Sequence, residues 1–311
     1  MLTWKEFKGT TADDWMQKAL TDLKGKVAPD QLQSRFGEEI TMSPFLTRSP
    51  NAASLPISGN RIRPAVRLTV TDEKTANDTI HKFLHWGTEA LWLHCEHPIN
   101  LSVVLEGVYL DILQTFIYAP DEILSRKLES QISENYGRYY DEGHVQMVHQ
   151  HAPSAYVHLP LHQTLSERLE HFVSVCLPYG KAGKKVHVHI EPVSDFLRQI
   201  AELRAFRRLW TEALLPEASL LIFTCISDQH FEKQELHAML PASYLILSAQ
   251  FGMSDFLLDN LRSAHGELSR LVLNAQHIFQ YESGVGRVQD PFAGSYIIEK
   301  LTEEIILMAN T

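Results

Sequence analysis

Cysteine is scarce in this chain, three in 311 residues, and no two form a Cys-x-x-Cys pair. Cys95, Cys176 and Cys225 lie apart in apolar runs, which speaks against a disulfide framework or a cysteine zinc site and for buried thiols in a reducing compartment. No run of about 18 apolar residues occurs, so no membrane span is expected. The opening, Met1-Leu-Thr-Trp-Lys-Glu-Phe-Lys8, lacks the ~7–15-residue apolar core of a secretory signal, and a cytoplasmic protein is expected. Positive charge is in deficit: 28 Lys and Arg against 38 Asp and Glu give a net charge of −10. That balance disfavours nucleic acid or an anionic membrane as the main partner. Nucleotide and nucleophile signatures are also missing. Gly284-Val-Gly286 follows a helical pattern and lacks a third glycine, no glycine-rich loop ends in Gly-Lys-Ser/Thr, and there is no Gly-x-Ser-x-Gly elbow.

What is present divides into an N-terminal arm, residues 1–64, and a body, residues 65–311. A helix is expected from Ala12 to about Lys24, capped by Thr11, favoured by Asp13 and Asp14 at its positive end and stopped by Gly25. Its stripe of Trp15, Ala19, Leu20 and Leu23 must dock on the body or on a second subunit. Pro44, Pro50, Pro56, Gly59 and Pro64 make the following stretch an extended arm. From Ala65, short β-branched runs alternate with helical patterns, the mark of βα units. Strands are expected near Val66–Val70, Ala90–Cys95, Gln114–Tyr118, Val145–His149, Ala155–Leu161, Val186–Ile190, Leu220–Cys225 and Tyr244–Ser248. Helices are expected at Glu73–Trp86, Pro120–Tyr136, Leu165–Leu177, Ser194–Leu214, Glu232–Met239 and Met253–Phe279. Eight strands predict an α/β fold, a (β/α)8 TIM-type barrel with an N-terminal helix and extended arm. One link is irregular: His151-Ala-Pro-Ser154 leaves no room for a crossover helix between the fourth and fifth strands.

Strand alternation sends Val186, Val188 and Ile190 toward the outer helices and His187 and His189 into the lumen. On the same logic Tyr156, His158 and His162 of the fifth strand and Arg67 and Thr69 of the first point inward. Three readings compete for this polar lining. His187-Val-His189 with His158 resembles a metal site, since neutral imidazoles are good zinc ligands. One histidine could act as general acid or base. Or the side chains plug the axis through mutual hydrogen bonds. Arg204, Arg207 and Arg208 read as the solvated and packed faces of one amphipathic helix rather than an anion patch.

The C-terminal stretch resembles the methylmalonyl-CoA mutase family. Asn274-Ala-Gln276 matches its Asn-x-Gln helix, and Gln280-Tyr-Glu282-Ser-Gly284 its Gln-x-Glu-Ser-Gly turn. Asp290, Pro291, Gly294, Ser295, Tyr296, Glu299, Leu301 and Thr302 match the closing motif, with Ala293 in place of its first glycine. Asp195 to Trp210 is similar to the family's helix after the sixth barrel strand. Asp22-Leu-Lys-Gly25 and Gly37-Glu-Glu-Ile-Thr-Met-Ser-Pro-Phe45 resemble the opening of its small subunit.

The departures define the expected role. Leu161-His162 keeps the histidine that the resemblance places against the substrate but not the preceding tyrosine. The family's Arg-Pro-Trp-Thr-x-Arg-Gln-Tyr arm and the arginine after its third strand are not found, and no Asp-x-His-x-x-Gly cobalt-ligand loop occurs before Thr311. The resemblance implies a barrel that threads coenzyme A along an axis lined by small hydroxyl residues. Here Arg67, His158, His187, His189, Trp92 and Tyr244 are expected to obstruct it. The expected function is that of a small, non-catalytic subunit, or a truncated relative, of an adenosylcobalamin-dependent methylmalonyl-CoA mutase. It would form a heterodimer with a large catalytic subunit that holds the cobalamin, and be inactive alone. Two alternatives stay open: a metal-dependent barrel hydrolase or isomerase using His158, His187 and His189, and acyl-CoA binding without catalysis near His162.

Overall fold

A computed structural model describes residues 9–47, 61–149, 154–214, 218–231, 235–261, 266–288 and 290–310. The chain start, Pro50, Pro56 and Gly59 of the arm, and residues 151–153 of the short link lie outside the described residues.

Eight parallel strands form a nearly closed barrel: β3 (Arg63–Val70), β4 (Ala90–Cys95), β5 (Gln114–Tyr118), β6 (Val145–Val148), β7 (Ser154–Leu159), β8 (Lys185–Ile190), β9 (Leu220–Ser227) and β10 (Phe256–Asn260). The ladder runs β6-β5-β4-β3-β10-β9-β8-β7, so β6 and β7 are its two ends. They meet at a seam where the His149 amide donates to the Ser154 carbonyl at 3.0 Å. The short link expected between the fourth and fifth strands falls at this seam.

Around the barrel lie α2 (Glu73–His85), α3 (Leu101–Val104), α4 (Glu122–Asp141), α5 (Leu165–His171), α6 (Leu177–Lys181), α7 (Phe196–Ala213), α8 (Glu235–Phe251), α9 (Gly266–His277) and α10 (Tyr296–Ala309), with α1 (Ala12–Leu23) in the arm. Several begin at a side-chain cap. Asp72, Asp121, Thr164 and Asp195 accept from the backbone N–H of Thr75, Leu124, Glu167 and Arg198, which satisfies first-turn donors. Outward strand residues pack under the helices: Val186, Val188 and Ile190 join Phe206 and Leu301 on one side, and Val66, Leu91 and Leu93 join Ile80 and Leu128 on the other.

The eighth strand is Phe256–Asn260 and not Tyr244–Ser248, which lies within α8. The run around residue 244 is apolar on every side, so its period is hidden. In place, Ala242, Leu245, Ile246 and Ala249 are buried at helical spacing while Tyr244 stands out. The helix runs through Pro241 and past the end expected at Met239. The long helix expected over Met253–Phe279 is interrupted because Gly252 and Met253, at φ 67°, turn the chain into β10. The Arg207 guanidinium donates to the Met253 carbonyl at 2.8 Å and holds that turn.

The arm splits in two. Its hairpin, β1 (Ser34–Phe36) and β2 (Ile40–Met42), buries Phe36, Ile40 and Met42 against the body. Glu39 accepts from the Leu165 and Ser166 amides at 3.2 and 3.1 Å, capping the N-terminus of α5. Helix α1 has the expected Thr11 cap, in a box with Asp14, but no buried residue. Trp15 stacks on Phe45 at 5.2 Å, while Leu20 and Leu23 remain half-buried.

Candidate functional site

Side chains from opposite walls fill the barrel axis. Trp92 is fully buried at its centre and packs against Phe116 at 5.7 Å, Phe223 at 5.4 Å and His189 at 4.1 Å between ring centroids. Phe223 stacks on Phe256 at 4.6 Å, and His187 meets Phe116 edge-on at 5.2 Å. Below them Arg63 lies over the Phe256 ring at 4.1 Å and donates to Gln114 at 2.5 Å, closing the N-terminal end. The plug is held by ring packing, and not by the mutual hydrogen bonds expected: no ring nitrogen of His187 or His189 has a hydrogen-bond partner among the described residues. Burial drives both imidazoles to the neutral form, His187 down to about 3 and His189 well below its ordinary value. Tyr244, expected in the plug, is half-exposed on α8 instead.

Above the plug, at the C-terminal ends of the strands where barrel sites form, polar side chains converge. Arg67 reaches across from β3 to the hydroxyl of Tyr156 on β7, the opposite strand of the ring. It also donates to His94 Nδ1 at 2.6 Å, which leaves the proton of that imidazole on Nε2, 3.5 Å from Glu96. The Tyr118 ring lies 4.8 Å from that of Tyr156 and 4.9 Å from that of His94. Burial raises both phenols above their ordinary value against the opposing pull of Arg67, so they stay protonated donors. His158 stands on the rim, its Nε2 3.5 Å from Glu191. Glu191 also accepts from the Leu161 amide at 3.0 Å. Chiefly through the His158 hydrogen bond, and against its own burial, the Glu191 carboxyl is lowered to about 2. A hollow of about 500 Å³ opens beside this pair, lined by Leu161, Pro192, Ser194, Gln229, His230 and Tyr244.

Arg67, Tyr156, His158, His187 and His189, all read from the sequence as facing inward, thus lie in the plug or at the mouth. His162 does not: it is exposed and lines a separate hollow with Glu38, Glu39, Thr164 and Arg198. The metal reading fails on geometry, since among the described residues no three His, Cys, Asp or Glu side chains are gathered to hold an ion. His158 faces Glu191, while His187 and His189 face aromatic rings. His94, Tyr118 and Glu191 were not singled out. The signal was the same alternation, one step beyond Trp92, Phe116 and His189.

The C-terminal motif builds a lock. Arg204, fully buried and not on the solvated face expected, donates to Asp290 at 2.6 Å and to Glu299 at 2.9 Å. Asp290 also accepts from the Phe292 amide, Gly294 takes φ 80°, and Ser295 stands at the N-cap position of α10 without a side-chain bond to its first turn. Pro291 and Tyr296 are exposed, as are Asn274 and Glu282, while Gln276 is fully buried in α9. Beside this lock the fully buried Arg168 of α5 lies 2.8 Å from Glu202 of α7.

Residues 164–311, which contain both ion-pair clusters, match a family model described as methylmalonyl-CoA mutase. A methylmalonyl-CoA mutase from Cereibacter sphaeroides is 35% identical over 124 residues, 36% of this chain and 18% of that protein. The mitochondrial enzyme of Homo sapiens is 25% identical over 222 residues, 62% of this chain and 28% of that protein. Among solved structures, the dihydropteroate synthase of Stenotrophomonas maltophilia aligns at a TM-score of 0.46 with 11% identity, covering 73% of this chain and 94% of that one. The match spans less than a fifth of the Cereibacter relative's length. With the sequence motif and the buried lock it builds, residues 164–311 are similar to the methylmalonyl-CoA mutase family.

Proposed function

We propose that this chain is the non-catalytic small subunit of an adenosylcobalamin-dependent methylmalonyl-CoA mutase, stabilising a large catalytic subunit in a heterodimer. The filled axis is the observation that carries this reading. Trp92, Phe116, His187, Phe223 and Phe256 occupy the path along which the family resemblance runs coenzyme A. The mouth does not fit a corrinoid either. His230 has both ring nitrogens engaged, with Ser227 and the Pro192 carbonyl, and His94 is held between Arg67 and Glu96. No step of the isomerisation is therefore assigned to this chain, and the cobalamin is assigned to the partner. A cytoplasmic setting is proposed with it; no helix among the described residues is long and apolar enough to cross a membrane.

Helix α1 is the proposed docking element, because the arm's hairpin is already spent on its own barrel. Co-expression with the large mutase subunit of the same organism is expected to give a one-to-one complex by size-exclusion chromatography with light scattering. Two separately eluting proteins would end the proposal. Within it, Leu20→Asp is expected to abolish the complex while shifting the stability of the isolated chain by no more than about 0.5 kcal/mol, as for a surface change.

A further inference from the structure

We propose that the mouth of the barrel binds a small oxyanion with one negative charge, a carboxylate or a monobasic phosphate, seated on Arg67 above the aromatic plug. The inference stands on the mouth alone and is independent of the subunit reading.

The first reason is charge. Arg67 is half-buried, yet among the described residues no carboxylate lies within ion-pair distance of it. The carboxylates near the mouth are otherwise engaged: Glu191 with His158 and the Leu161 amide, Glu96 with His94. A guanidinium withdrawn from water without a counter-charge is unfavourable, and an arriving anion relieves that cost.

The second reason is the donor set. Of the N–H groups of Arg67, one is given to His94 and one to Tyr156, which fixes the guanidinium across the lumen and leaves further donors for a ligand. The Tyr118 hydroxyl is a second donor of the same wall. His158, with 39% of its side chain exposed, reaches the rim from the strand that carries Tyr156. The third reason is size. Trp92 and His189, both fully buried, floor the site at once, so only a small ligand is seated.

The test is calorimetry and thermal-shift titration of the whole chain with sodium acetate and, separately, sodium phosphate, at neutral pH and constant ionic strength held by chloride. Saturable binding in the millimolar range is expected. Saturation by acetate alone marks a carboxylate site, by phosphate alone a phosphate site. Arg67→Met is expected to weaken binding about 10- to 100-fold, the loss of a charge-assisted hydrogen-bonded contact. If that variant fails to fold by circular dichroism, Tyr118→Phe with Tyr156→Phe serves instead, with about 3- to 30-fold weaker binding expected for two lost hydroxyls. No saturation by either anion at tens of millimolar, or unchanged binding by a folded Arg67→Met or by the double phenylalanine variant, would overturn the proposal.

Discussion

Acidification from about pH 7 to about pH 5 is expected to cost the folded barrel roughly 3 kcal/mol, a loss governed by two side chains in its axis. His187 and His189 are neutral in the fold because burial lowers their proton affinity, His187 to about 3. In the unfolded chain they titrate near the ordinary value of about 6.5. A group whose folded value is depressed contributes fully above its unfolded value, and that contribution is lost as pH falls from there toward the folded value. Each imidazole should therefore remove about 2 kcal/mol by pH 5, at 1.4 kcal/mol per unit.

Asp259 opposes them. Burial raises its carboxyl to about 6, against bonds from the Leu261 amide and Ser269. Its penalty grows as pH rises from near 4 to 6, so acidification to pH 5 returns about 1 kcal/mol. Glu191 enters only lower, since its stabilisation is lost between its ordinary value and about 2. Urea unfolding across this pH range measures the net. The decisive variant is His187→Phe with His189→Phe, which suits the surrounding rings and should reverse the sign, leaving a protein more stable at pH 5 than at pH 7. A double variant with the wild-type pH profile would show that the imidazoles do not set it.

Arg204→Ala is expected to destabilise the chain by about 3–5 kcal/mol, the range for breaking a buried ion pair from one side. The substitution would leave Asp290 and Glu299 with side chains 4% and 2% exposed, facing each other without their shared cation. Equilibrium denaturation gives the size of the effect, and limited proteolysis near residue 294 shows where the structure opens. Combining Arg204→Met with Asp290→Asn and Glu299→Gln should recover much of the loss, because no charge then remains within that cluster. If the triple variant were no better than Arg204→Ala alone, the motif would owe its stabilising effect to something other than charge. On this account Asp290 and Glu299 match the family because the turn before α10 must be tied to α7, and not because either touches a substrate.

The barrel was readable because strand alternation leaves a plain trace: Val-His-Val-His-Ile over 186–190 separates outside from inside without further information. Helix α8 was not, since a helix apolar on all sides has no period to tell it from a buried strand. The burial of Arg204 was hidden for another reason. A guanidinium on an amphipathic helix reads as solvated unless its partners are known, and these lie 86 and 95 residues away. His162 carried the family's motif position, but the hollow it lines depends on the arm's Glu38 and Glu39, which strand logic does not see. The convergence at Arg67 depends on ring closure, which sets β3 opposite β7 only once β10 has paired with β3.

That closure has a consequence for connectivity. The β10–β3 ladder joins residues nearly two hundred positions apart, Phe256 beside Arg63, whereas the seam lies between strands that are neighbours in the chain. A circular permutant with new termini in the 149–154 link, and the old ones joined by a flexible linker, would shorten the chain path from Phe256 to Arg63 to roughly six tenths of its present length plus the linker. That shorter path would lower the contact order of the ring-closing pairing. The new ends would fall where the ladder already stops.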